Sequence, residues 1–253
     1  NLPKDLPSPE QLKRKIIIKN KRCAADQLSK TDENLRESLM VDAESILVDG
    51  EMVTETEEEV RERKERSGVI LPELSAVVNY VWPISFKGFD KALAVNCSYH
   101  MSSFSEKKAA RFVAGQPEEF VDYCKRQVAR IYPQGSRINS TNFNPQIFWN
   151  CGCQLVALNF QTMDTPPMQM NEGKFMQNSR SGYVLKPLPL TDKGKNFNPF
   201  GSLPISGIVA MDLKVTMVAA HHLASSAKPA VEMKLMGLPH DTSKSTKTPH
   251  FKG

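Results

Sequence analysis

The sequence predicts an α/β fold built on a parallel sheet or barrel, followed by a β-rich tail. Three observations carry this expectation. Between residues 71 and 187, short β-branched or aromatic runs alternate with helical patterns, the order that builds parallel sheets. The run Lys15–Lys19, KIIIK, is apolar without alternation, as in a strand covered on both faces. Beyond residue 206 the helical pattern gives way to two strand-like runs, 207–219 and 230–236.

Taken in order, Lys15–Lys19 reads as a buried strand. Lys19 and Lys21 then project to one side at its C-terminal end, by the period of two. From Cys23 to about Ser67 aromatic residues vanish and acids dominate, a composition that favours disorder. Glu57–Arg61, Glu59–Arg63 and Glu62–Arg66 are spaced for i,i+4 pairs. A solvated helix over Thr54–Arg66 is therefore open, although isolated helices so short are marginal. Structure resumes at Leu71-Pro72-Glu73. Asn79–Phe86, interrupted by Pro83, supports at best a short strand. Tyr99–Phe104 is a strand. Ser105 caps a helix running from Glu106 to about Val113, ended by Gly115-Gln116. Pro117 opens a second helix with Glu118 and Glu119 in its first turn. Its inner stripe is Phe120, Tyr123, Cys124, Gln127 and Val128. Ala129–Tyr132 is a strand, Pro145–Asn150 a helical turn, Leu155–Phe160 a buried strand and Gly182–Leu185 a last strand. A Pro-, Gly- and Asn-rich connector leads to about Ser206. The two runs beyond it read as the start of a β-sandwich, and the polar, basic residues from Asp241 as loose.

Composition excludes several classes. No run of about 18 apolar residues is present to span a membrane. The opening NLPKDLPSPE lacks a signal pattern and does not begin with Met, which suits an interior start. Five cysteines, Cys23, Cys97, Cys124, Cys151 and Cys153, are odd in number and irregular in spacing, as in reduced structural cysteines rather than a disulfide framework. The histidines, His100, His221, His222, His240 and His250, have no carboxylate or Cys at ligand spacing. No phosphate-binding glycine loop, nucleophile elbow or zinc-protease signature occurs. Net charge is +5, yet Thr31–Arg66 holds 13 Asp and Glu against 5 Lys and Arg, a local charge of −8. An acidic insert thus interrupts a basic body, a pattern suited to meeting an anionic surface or ligand. The basic excess lacks the aromatic-basic platform of a nucleic-acid module.

The chain offers anion-binding residues instead of an acid/base pair. Residues 130–161 pack an Arg, a Tyr and several Asn and Gln around two short apolar runs. Lys19 and Lys21 end one expected strand, Ser103 another, and Arg130 lies on a third. In a parallel barrel such strand ends converge on one mouth. There two Lys, a hydroxyl and an Arg fork suit phosphate groups on a small ring. Tyr132 shares the face of Arg130 and suits the apolar side of that ring. Solvated surface charge is the ordinary alternative for the Lys pair.

These residues also carry a resemblance. ARIYP, NPQIFWNCGCQLVALNFQT and GYVLKP resemble the Y half of the catalytic barrel of phosphoinositide-specific phospholipase C. LPSPEQLKRKIIIKNK is similar to the end of its X half, and the tail after Gly207 to the first strands of its C2 domain. VEMKLMGLPHDT (Val231–Thr242) is most similar to the beta class, which G proteins regulate. The resemblance implies the second half of a TIM-type (β/α)8 barrel followed by the start of an all-β C2 sandwich, in a piece of a larger protein. Its domains would be 1–22 (end of X), 23–70 (acidic disordered X–Y linker), 71–187 (Y half), 188–206 (connector) and 207–253 (partial C2). By the resemblance Lys19, Lys21, Ser103 and Arg130 bind ring 4- and 5-phosphates, and Tyr132 packs on the ring. The catalytic histidines and the ligands of a Ca2+ cofactor would lie upstream in the X half. Departures sit beside these positions: Ala129 replaces a Ser, NSTNF (Asn139–Phe143) a DSSNY, and CGC (Cys151–Cys153) an AGC. HHLASSAK (His221–Lys228) has no acid, so calcium docking through the C2-like part is unsupported.

The implied function is part of a calcium-dependent enzyme. It would hydrolyse phosphatidylinositol 4,5-bisphosphate to inositol trisphosphate and diacylglycerol at the inner face of the plasma membrane. Heterotrimeric G-protein subunits are the implied partners, and the acidic linker an autoinhibitory element repelled by anionic membranes. The alternative is a catalytically inactive phosphoinositide-binding scaffold of the same family.

Overall fold

The structure is a computed structural model that describes residues 5–22, 46–48, 51–53, 72–163, 165–205, 207–209, 211–222, 230–241 and 245–248. The chain divides into two compact units, residues 1–102 and 103–253.

In the first unit, β1 (Ile46–Val48) pairs antiparallel with β2 (Glu51–Val53), Ile46 opposite Val53 and Val48 opposite Glu51. This short pair was not foreseen; the rest of the acidic segment expected to be disordered lies outside the described residues. The helix expected over Thr54–Arg66 lies outside the described residues. A short helix α1 (Pro72–Ala76) precedes β3 (Trp82–Pro83), α2 (Phe89–Val95) and β4 (His100–Ser105). β3 and β4 are parallel, with Trp82 opposite His100 and Pro83 opposite Met101. The N–H groups of Trp82 and Ile84 donate to the carbonyls of Tyr99 and Met101, both at 2.9 Å. Pro83 falls between these donors, where a missing N–H leaves the ladder intact. The helix α2 was not foreseen: it buries none of its residues, so it lacks a readable stripe.

Lys15–Lys19 does not form the expected buried strand. Only Lys19 makes a bridge, parallel to Val81, and Ile16 is 91% exposed. An unbroken apolar run shows that a segment suits cover on both faces, not what supplies that cover. Just beyond, Arg22 is buried with its guanidinium 5.0 Å from the centre of the Trp82 ring and Nη1 donating to the Val78 carbonyl at 3.4 Å. Trp82 stacks on Tyr99, and His100 meets both rings edge-on.

The second unit begins inside β4. It continues through α3 (Glu106–Gly115), α4 (Pro117–Arg126), β5 (Val128–Tyr132), α5 (Gln146–Asn150), β6 (Leu155–Val156) and α6 (Pro166–Phe175). The end of β4, β5 and β6 are hydrogen-bonded neighbours in that order. β5 and β6 are parallel, with Arg130 opposite Leu155 and Ile131 opposite Val156. Ser105 caps α3 as expected, its Oγ accepting from the Lys108 N–H at 3.3 Å. Pro117 begins α4, and Phe120, Val121, Tyr123 and Cys124 form its buried stripe. Phe104 on β4, Phe112 on α3 and Phe120 on α4 have ring centroids 5.6–5.8 Å apart, the aromatic centre of this core.

Three expected strands are corrected here. β6 stops at Val156 instead of running to Phe160. The Asn142 side chain takes both backbone groups of Asn159, accepting its N–H at 2.6 Å and donating to its carbonyl at 3.1 Å. Leu155 and Phe160 are exposed rather than buried. Gly182–Leu185 is not a strand: Ser181 Oγ accepts from the Tyr183 N–H, and Asn178 Nδ2 donates to its carbonyl. Residues 207–209 and 211–219 form no strand and are exposed throughout. Period-two alternation marks a face to be covered, but a strand also needs a neighbour with free backbone groups. The run 230–236 does contain β7 (Glu232–Lys234), which pairs antiparallel with β8 (Ser245–Lys247). That pairing corrects the loose ending expected after Asp241.

Candidate functional site

β5 presents its side chains alternately. Ala129 and Ile131 are fully buried, while Arg130 and Tyr132 are half-buried on the other face. The Arg130 guanidinium lies 5.3 Å from the centre of the Tyr132 ring. A cation over an aromatic face is held in place without losing its fork of donors. Ser103 is exposed near the end of β4, between buried Ser102 and Phe104. Lys19 and Lys21 belong to the first unit, where both are exposed, Lys19 at the bridge to Val81. Ser103, Arg130 and Tyr132 belong to the second.

β5 is fixed at its start by one side chain. Gln154 accepts the Ala129 N–H at 2.9 Å and donates to the carbonyls of Cys124 and Gln127 at 2.8 and 2.9 Å. Lys186, from the GYVLKP motif, donates to the Cys124 carbonyl at 2.8 Å. A cation there offsets the negative end of α4. Burial lowers the Lys186 pKa. Cys124 and Cys153 face each other at 3.8 Å, and burial raises the Cys153 and Cys151 thiols well above their ordinary range. Cys97, Cys124, Cys151 and Cys153 are all free; the buried three are packing groups rather than nucleophiles.

Past its end, β5 runs into a loop knitted by side chains. Arg137 Nε donates to both Glu106 oxygens at 2.8 and 2.9 Å, and Nη1 to Thr141 Oγ1 at 3.0 Å. Asn139 Oδ1 accepts from the Thr141 N–H and hydroxyl. An amide oxygen thereby supplies the acceptor that an Asp would supply at this place. Ser140 has a left-handed φ of 55°, rare for a residue with a Cβ. Its N–H donates to the Arg137 carbonyl at 2.9 Å, and its own carbonyl and hydroxyl accept from Thr162 and Gln161. Asn159 Nδ2 donates to the Thr141 carbonyl at 3.1 Å. The polar wealth of this stretch is visible in the sequence, but the pairing of Glu106, Arg137, Thr141, Asn142, Gln154 and Asn159 is not. An amide run between two apolar strands was the available signal; which amides pair is a property of the fold.

No group of three or more His, Cys, Asp or Glu side chains able to hold a metal ion occurs among the described residues. His100, the buried histidine, is held at a pKa of about 4 by its burial. No helix among the described residues is long and apolar enough to cross a membrane.

Parallel strands followed by helices, with an Arg–Tyr face on β5 and polar loops beyond the strand ends, define an α/β parallel-sheet protein with its candidate site toward the strand C-termini. Residues 74–189 match the family Phosphatidylinositol-specific phospholipase C, Y domain. A 1-phosphatidylinositol 4,5-bisphosphate phosphodiesterase of Drosophila melanogaster is 45% identical over 174 residues, 68% of this chain and 16% of the relative. The beta-4 enzyme of that name from Homo sapiens is 35% identical over 288 residues, 94% of this chain and 24% of its own length. The crystal structure of L. pealei PLC21 superposes with a TM-score of 0.62 at 37% identity, covering 81% of this chain and 24% of that one. The chain belongs to the phosphatidylinositol-specific phospholipase C family, with beta-class relatives, and spans about a quarter or less of the length of the relatives it matches.

Proposed function

We propose that this chain forms the Y half of the barrel of a phosphoinositide phospholipase C that hydrolyses phosphatidylinositol 4,5-bisphosphate to inositol trisphosphate and diacylglycerol. The observation that carries the reading is the open face of β5, where Arg130 and Tyr132 lie together with guanidinium and ring 5.3 Å apart. Arg130 supplies a phosphate fork, and Tyr132 lies against the inositol ring. Lys19 and Lys21 add mobile point charges and Ser103 a hydroxyl donor for the 4- and 5-phosphates. These groups bind and orient the substrate ring, which lowers the entropic part of the barrier. Among the described residues no group of three or more His, Cys, Asp or Glu side chains could hold a calcium ion. Calcium and the catalytic histidines belong, in this reading, to the X half.

The segment Thr31–Arg66, at −8, acts as an autoinhibitory linker that an anionic inner plasma-membrane surface repels. Residues 207–253 are the start of a C2 sandwich. The alternating apolar residues Val209, Met211, Leu213, Val215 and Met217 support this reading. Heterotrimeric G-protein subunits are the proposed regulators, on the likeness to beta-class relatives.

Arg130→Ala in the whole protein tests the substrate assignment, with Ala129→Ser as its control. Ala129 is fully buried on the opposite face of the strand, so its added hydroxyl does not reach the substrate. Arg130→Ala is expected to raise KM for the bisphosphate lipid about tenfold or more, the scale of losing a charged bidentate contact, and Ala129→Ser to leave it near its starting value. Equal effects would overturn the assignment. Binding without hydrolysis in the unmutated protein would select the inactive scaffold instead.

A further inference from the structure

We propose that Glu106 and Arg137 are positioning residues that set the spacing between the Ser103 hydroxyl and the Arg130–Tyr132 face, and so determine preference for a phosphorylated inositol ring. The inference rests on the substrate reading above and extends it to residues that do not touch substrate.

Ser103 and Glu106 are three residues apart. Between them Ser105 both ends β4 and caps α3. Glu106 is the first residue of α3, so its carboxylate sits at the positive end of that helix. Arg137 lies five residues beyond Tyr132, on the loop that β5 feeds. The Glu106–Arg137 pair therefore ties the end of one strand to the loop leaving the next.

A surface ion pair would impose little geometry. This one is mostly shielded, with side chains 26% and 14% exposed, and Arg137 Nε reaches both carboxylate oxygens. Nη1 reaches Thr141, and the Thr141 carbonyl is held by Asn159, three residues past the end of β6. A continuous run of side-chain bonds thus links the ends of β4, β5 and β6. Arg137 commits its Nε and an Nη1 donor to this run, which ties its guanidinium to the strand end and the loop. The loop it braces is itself locked, since Ser140 keeps its left-handed backbone through bonds on both sides. Phosphate recognition by two separate strand ends is sensitive to their spacing, because charged hydrogen bonds weaken steeply with distance and angle.

The test uses the whole protein and phosphatidylethanolamine vesicles carrying either phosphatidylinositol 4,5-bisphosphate or phosphatidylinositol. The readout is the ratio of kcat/KM for the two lipids. Glu106→Gln and Arg137→Gln are each expected to lower that preference about tenfold, the scale of a sub-ångström misplacement of binding groups. The exchange Glu106→Arg with Arg137→Glu should recover part of it, since the ion pair returns but a cation then sits at the helix N-terminus and the bond to Thr141 is lost. An equal fall on both lipids, or a lowered Tm with the preference unchanged, would overturn the proposal. Arg130→Ala separates the two levels of the argument. If it abolishes the preference while the Glu106 and Arg137 variants keep it, positioning fails and the substrate reading stands. If Arg130→Ala leaves the preference intact, both fail.

Discussion

Gln154 shows how one side chain can hold a functional strand. Its three bonds reach the last turn of α4 and the N–H of Ala129, one residue before Arg130. Gln154→Ala strands the Ala129 N–H and removes one donor from the Gln127 carbonyl, while Lys186 still serves the Cys124 carbonyl. The expected loss is about 2–3 kcal/mol, typical of leaving buried backbone groups unpaired, read as a lower urea midpoint with unchanged slope. His100 gives the fold a pH dependence. Burial holds its pKa near 4, below the ordinary 6.5. The unfolded chain therefore binds the proton more readily. The stability tied to neutral His100 is complete above about pH 6.5, falls as pH drops, and is gone by about pH 4. The full difference is about 3 kcal/mol, from the free energy of one pKa unit. Replacing His100 with Phe should flatten unfolding free energy between pH 4 and 6.5; a slope equal to that of the parent would refute the assignment.

At the scale of elements, the capped helix is the most secure local unit. Ser105→Ala removes the acceptor for the Lys108 N–H and should cost about 1 kcal/mol, as such caps do. Ser105→Asp should restore most of that in thermal unfolding, because a carboxylate also suits the helix N-terminus. That helix, α4 with its Pro117 start and β5 were legible because cap, proline position and stripe all agreed with the final fold. Leu155–Phe160 and Gly182–Leu185 were not. Their residues favour strand, but Asn142, Asn178 and Ser181 capture the backbone groups a ladder would need. Lys15–Lys19 and residues 207–219 carry patterns of covered strands, yet pattern states only a requirement for partners. Within the candidate site, Arg130 and Tyr132 share a face as the period of two dictates. The Glu106–Arg137–Thr141–Asn159 run escaped because its members are distant in sequence and no periodicity links them.

At the scale of the whole molecule, the distribution of charge matters more than its sum. A net +5 conceals an acidic segment of −8 within an otherwise basic chain. Like charges repel, so an anionic bilayer that attracts the basic part pushes the acidic segment away. If that segment occludes the proposed site, a membrane surface would both draw the protein in and open it. Deleting residues 23–67 from the whole protein should then raise basal hydrolysis on vesicles containing phosphatidylserine. Because the repulsion is screened over about 8 Å at physiological ionic strength, and less at higher salt, the opening that vesicles induce in the intact protein should weaken as salt is added. The deletion variant has nothing left to displace. Its advantage over the intact protein should therefore widen with salt on phosphatidylserine vesicles, after normalising for bound protein. On neutral vesicles, where no repulsion acts, the advantage should be large at every salt concentration. Basal activity unchanged by the deletion would reduce the segment to a solvated loop. An advantage that is equal on neutral and anionic vesicles would keep the occlusion but remove its electrostatic release.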